Sequence, residues 1–173
     1  TERTDVSHYR LALHLTLAFV IFILLLWNYL THKNQQSFVY NKKLPSYLPI
    51  LFISCVLIQI CLGAFVSGLD AGQIYQTWPL MNQSFFPDDS EIKNLFSINV
   101  FDTPSLVQFI HRNMAYFIIL LFCFIALTVY KSKDLVHLRS ITLLVFVFIL
   151  FQTLLGILTV LSGAQIILAS MHQ

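Results

Sequence analysis

Three histidines, His14, His111 and His172, fall inside or at the edge of long apolar runs, and two have a guanidinium close by. Arg112 follows His111 directly, and Arg10 lies one turn before His14. An ionisable residue inside a bilayer costs about 2.5–3.5 kcal/mol on insertion scales, so each of these needs a reason. A single buried imidazole can simply hydrogen-bond a neighbouring helix. Several at one depth point to ligation or proton transfer. Ligation of heme iron uses imidazoles from separate helices in an apolar bundle core, and the aliphatic runs with 16 Phe suit a porphyrin, as they also suit lipid. Zinc or copper favours a tight cluster with Cys, Asp or Glu, and a proton relay usually pairs His with a carboxylate. No Asp or Glu lies within the apolar runs, which disfavours both and leaves heme ligation ahead. Arg112 then has two readings: a partner for heme propionates, or a side chain reaching for the membrane interface.

The elements that must carry these residues follow from composition. The 173 residues are 57% hydrophobic and 10% charged, against about 25% charged in soluble domains. There is too little polar surface to cover a globule in water, so the chain is an integral membrane protein, with membrane lipid as its surroundings and no nucleic acid as a partner. Cys55, Cys61 and Cys123 all sit in apolar runs without CxxC spacing and read as small buried hydrophobes. Four segments reach the roughly 20 residues a span requires: 11–30, 47–69, 106–130 and 138–161. A fifth, 164–173, begins like a span and stops. The chain opens at Thr1 without Met and ends inside that apolar segment, so both ends read as cut, and no signal peptide is visible. The expected fold is all-α: one polytopic transmembrane helix bundle over residues 1–173, with four full spans, a truncated fifth and one long outer loop.

Lysine and arginine placement sets the expected orientation. The 31–46 connection holds Lys33, Lys42 and Lys43, and the 131–139 connection holds Lys131, Lys133 and Arg139. The 70–105 connection has one lysine against Asp70, Asp88, Asp89, Glu91 and Asp102. The first two are therefore expected on the cytoplasmic or matrix side and 70–105 on the other. His14, His111 and His172 then share one level in the outer leaflet, while His32 and His137 lie in basic loops and His8 in the outer tail. A loop of about 36 residues is long enough to suggest a function. Its aromatic content, Tyr75, Trp78, Phe85, Phe86, Phe96 and Phe101, fits a belt on the bilayer interface or a lid over a pocket equally well. Gln-x-x-Leu-Gly occurs twice, at 59–63 and 152–156, near the outer ends of two spans. Two similar packing seams are the simpler explanation; duplicated architecture is the alternative.

Together these stretches resemble the heme A synthase family. "VSHYRLALHL" (6–15) is similar to the start of its fourth span, and "LGAFVSGLDAGQIYQTWPLMNQSFFP" (62–87) to its Gly-Leu-Asp-Ala-Gly…Tyr-x-Thr-x-Pro-x-Met loop. "QFIHRNMAY" (108–116) resembles its sixth-span histidine motif, and "QTLLGILTVLSGAQIILASMHQ" (152–173) its seventh span and the opening of the eighth. The type is that of alphaproteobacteria and mitochondria, which lacks the loop cysteine pairs of some bacterial relatives. The resemblance implies the C-terminal portion of an eight-span oxidoreductase made of two pseudo-repeated halves, each with a histidine pair facing a heme. By motif match His111 and His172 would ligate a heme b cofactor, and His14 would be one ligand of the substrate heme O. The C8 methyl of heme O would be oxidised to a formyl, giving heme A for cytochrome oxidase. It further implies an unidentified electron donor, contact with heme O synthase and the cytochrome oxidase assembly machinery, and a place in the bacterial or mitochondrial inner membrane. Spans one to three of the family have no counterpart here, so the chain alone is expected to lack the activity. The rival reading is a bis-histidine b-type cytochrome that transfers electrons without oxidising a substrate.

Overall fold

The computed structural model describes residues 7–33 and 44–173. Residues 34–43, with Lys42 and Lys43 on which part of the orientation argument rests, lie outside the described residues. Four long helices carry the apolar runs: α1 (His8–Lys33), α2 (Tyr47–Gly68), α3 (Pro104–Lys131) and α4 (Arg139–Leu161), followed by the short α5 (Ile166–His172). Main-chain polar groups cannot be left unpaired in hydrocarbon, so apolar runs of this length close their hydrogen bonds internally as helices. At 1.5 Å per residue the four long helices measure roughly 33–42 Å. All four are long and apolar enough to cross a membrane. No strand forms among the described residues; one isolated bridge joins Met81 and Ser84.

Helix ends follow local chemistry. Pro104 occupies the first turn of α3 after an extended Thr103, where its missing N–H is no loss. Just past the C-terminal end of α2, Asp70 turns left-handed, with φ 50°. Just past the C-terminal end of α4, Gly163 and Ala164 take φ 68° and 61°, and the Ala164 N–H bonds the Thr159 carbonyl at 2.8 Å, a left-handed stop to the helix.

Packing is sequential: α1 lies on α2, α2 on α3, α3 on α4 and α4 on α5. At the end of the bundle nearest the 70–105 loop, Ala12 of α1, Ala64 and Phe65 of α2 and Val107 of α3 form a buried cluster; small residues there let the backbones approach. Mid-bundle, Phe122 joins three helices, with ring centroids 5.0 Å from Phe52 and 6.1 Å from Phe146. The three cysteines carry free thiols; Cys55 is fully buried and Cys61 and Cys123 partly so. His8, expected in an aqueous tail, is instead the first residue of α1: its Nε2 lies 2.9 Å from Asp102 Oδ1, and its backbone crosses directly over Gly68.

Candidate functional site: a histidine pair under a braced loop

Two of the three membrane-level histidines come together. His111, two turns into α3, and His172, at the end of α5, have ring centroids 6.4 Å apart with planes 82° apart. A metal–imidazole nitrogen bond is about 2 Å, so two imidazoles on opposite sides of one ion would place their centroids about 6 Å apart. The observed spacing fits that arrangement. Among the described residues no cluster of three or more His, Cys, Asp or Glu capable of holding a metal forms; the site is a pair.

Each ring is fixed by the preceding helix. His172 Nδ1 lies 3.1 Å from the Gln152 carbonyl oxygen. Donation there selects the tautomer whose Nε2 keeps a lone pair, the form a metal ligand requires. The Gln59 side-chain amide donates to the His111 carbonyl at 3.2 Å and stands 3.4 Å from His111 Nε2, while His111 Nδ1 is buried with no partner. A buried imidazole nitrogen without a hydrogen bond is costly, and a ligand offering one further bond would relieve it. His14 does not join the pair: it lies on the exposed side of α1, as does Arg10.

Arg112 is buried, at 9% exposure. Its guanidinium donates to the carbonyls of Tyr75 (2.7 Å), Thr77 (2.8 Å) and Leu80 (3.4 Å), and its Nε is buried without a partner. Gln108, one turn earlier, donates to the same Tyr75 oxygen at 3.0 Å. One turn later, the Tyr116 hydroxyl accepts from Trp78 Nε1 at 2.9 Å. Gln108, Arg112 and Tyr116 thus form an i, i+4, i+8 stripe along α3 that holds loop residues 75–80. The loop is also knit to itself: the Thr77 hydroxyl donates to the Leu80 carbonyl at 2.8 Å and accepts from the Asn82 N–H at 2.7 Å. Its start bears on the α4–α5 turn, where a Cβ at Gly163 would fall 3.1–3.2 Å from the Gln76 side chain and one at Gly72 3.6 Å from Ala164. The first part of the loop is therefore a brace between α3 and the hairpin carrying His172. Its second part behaves differently: Phe96 and Ile98 stand outward at 88% and 94% exposure. The loop therefore divides into a stretch held on α3 and a stretch that presents apolar side chains outward.

Gln108 and Tyr116 were missed in the sequence, although their signal was present: with Arg112 they recur at four-residue spacing in the first half of a largely apolar helix. His8 with Asp102 left no comparable signal, being 94 residues apart.

A helical membrane bundle that brings imidazoles from two helices within 6.4 Å of each other, beside a loop held on one of those helices, defines a class of membrane proteins built around a histidine pair. The chain belongs to the cytochrome oxidase assembly protein family, COX15-CtaA, whose profile matches residues 1–173. It is 43% identical over 173 residues to the heme A synthase of Pelagibacter ubique, covering 99% of this chain and 50% of that one. It is 40% identical to the heme A synthase of Bartonella tribocorum, covering 98% and 47% of the two chains. It is 33% identical to that of Rickettsia prowazekii, covering 98% and 50%. The chain spans about half the length of these curated relatives. No solved structure matches it.

Proposed function

We propose that this chain forms the cofactor-bearing half of a heme A synthase, with His111 and His172 as the axial ligands of a heme b. The observation that carries this reading is the 6.4 Å, near-perpendicular approach of the two rings. A heme held there by His111 and His172 would supply one-electron redox chemistry. The chain's own residues do the rest. The Gln152 carbonyl fixes the His172 tautomer, and the Gln59 amide steadies α3 at His111. Arg112 places a positive charge beside the ligands, which suits an anionic propionate. With both terminal nitrogens on loop carbonyls, that influence acts chiefly through charge and through the position of the loop.

His14, on the exposed side of α1, would contribute one imidazole to a second heme, the substrate heme O, whose C8 methyl is oxidised to a formyl. An electron donor, heme O synthase and the oxidase assembly machinery are its natural partners. The membrane is a bacterial or mitochondrial inner membrane, with the basic ends of the helices at Lys33, Lys131 and Arg139 facing cytoplasm or matrix and the 70–105 loop on the opposite side.

The test is pigment analysis of membranes containing the complete synthase, as parent and as His14→Ala, His111→Ala and His172→Ala. Heme A formed by the parent, with the b-type band lost in both ligand variants and heme O accumulating in all three, supports the assignment. A b-type spectrum without any heme A would instead make the protein an electron-transfer cytochrome. A band that survives both His111→Ala and His172→Ala would remove the ligands assigned here.

A further inference from the structure

Gln-x-x-Leu-Gly occurs once on α2 and once on α4, and in the fold the two copies meet the two histidines. A Cβ added to Gly63 would lie 3.3 Å from Cε1 and 3.9 Å from Nδ1 of His111. A Cβ added to Gly156 would lie 2.8 Å from Cε1, 3.1 Å from Nε2 and 3.4 Å from Nδ1 of His172. Each ring therefore rests against the backbone of the preceding span at a position with no side chain. Glycine is among the poorest helix formers, so its use inside the helix at both contacts needs a cause, and the distances supply one. The glutamine of each copy stands one turn earlier, on the same helix face. Gln59 reaches His111 with its side chain. Gln152 reaches His172 with its carbonyl oxygen, which points along the helix axis toward residue 156 and is open to a ring because that residue is glycine. Leu62 and Leu155, between them, are both buried.

We propose that these are two copies of one imidazole seat, in which Gly63 and Gly156 are positioning residues that set the depth and plane of each ligand ring. The hairpins α2–α3 and α4–α5 are then equivalent half-sites, each with a seat on the first helix and a ligand on the second. The 82° between the ring planes follows from how the seats face one another. This inference rests on the heme-ligand reading above, and the experiment separates the two.

The complete holoprotein in detergent is compared with Gly63→Ala, Gly156→Ala, Gly72→Ala, His111→Ala and His172→Ala, reading ferric low-spin EPR, midpoint potential and heme retention. Gly156→Ala, with the tighter contact, is expected to shift the EPR signal and potential most and to weaken heme retention by about tenfold or more, the scale of losses at supporting residues around metal ligands. Gly63→Ala should move the same quantities less, and Gly72→Ala, where a Cβ meets only Ala164 at 3.6 Å, should leave them unchanged. Should Gly156→Ala not accumulate, Gly63→Ala decides, because its contact is mild enough for the fold to absorb. Parental EPR, potential and retention in the glycine variants, with the low-spin signal lost in His111→Ala, would overturn the seats and leave the ligands standing. A low-spin signal intact in both histidine variants would overturn the ligands, and the seats with them.

Discussion

The side-chain amide of Gln108 and the guanidinium of Arg112 converge on one acceptor, the carbonyl oxygen of Tyr75, at 3.0 and 2.7 Å. Two donors one helical turn apart, one of them charged, make this the firmest point of the outer loop. Arg112→Ala removes every guanidinium bond to residues 75–80 and should cost about 2–3 kcal/mol. Hydrogen exchange of the 75–82 amides should quicken, and proteases should cut the loop sooner. Arg112→Lys should recover only part of the protection, because an ammonium lacks the planar fork that reaches Tyr75 and Thr77 together.

Burial pushes the Tyr75 phenol above its ordinary value, with the nearby Asp89 carboxylate also adding to the rise. The folded chain therefore holds this proton more tightly than the unfolded chain. The stabilisation is complete below about pH 10, the ordinary tyrosine value, and declines as pH climbs through the higher folded value. Tyr75→Phe should flatten that alkaline decline, as read from melting temperatures between pH 9 and 11.

Gln59 and Gln152 occupy matching places and should respond differently to substitution. Gln59→Leu deletes the amide that touches His111 and should shift the midpoint potential and weaken heme retention by up to about tenfold. Gln152 acts through its backbone and its side chain is exposed, so Gln152→Leu should leave both quantities at the parental value. Equal effects from the two would contradict the roles given to the amide and the carbonyl.

Gly163 combines φ 68° with side-chain atoms of Gln76 at 3.1–3.2 Å from any added Cβ. Gly163→Ala should cost about 1–2 kcal/mol through left-handed strain and lift the loop from the α4–α5 turn, lowering the melting temperature. A thermal scan of the purified variant checks this.

The spans were legible because apolar length decides a membrane helix, and the structure moves their ends by only a few residues. α1 starts three residues early because the His8 ring finds Asp102 and its backbone finds Gly68; neither partner is near in sequence. α3 starts at Pro104, a position that proline itself advertises. The histidines stood out by type within apolar runs, and their helix faces did not. His111 and His172 meet, and His14 points elsewhere, because rotation about a helix axis is set by neighbours that a linear pattern does not reveal. The loop's aromatic residues signalled order without saying which of them pack inward. That choice was made by donors on α3, beyond the loop itself. The repeated Gln-x-x-Leu-Gly was visible from the start, but its meaning depended on what lay opposite each glycine.

His111 and His172, the proposed ligands, are 61 residues apart along the chain, and this gives the site a clock. Chains emerge at about 5–20 residues per second, so His172 follows His111 by roughly 3–12 s. Throughout that interval His111 can meet the Gln59 amide of α2 but has no second imidazole opposite it. On the proposed ligand set, cofactor capture becomes a late event in biogenesis that waits on His172. Ribosomes stalled before the His172 codon should hold nascent chains that bring down no b-type heme.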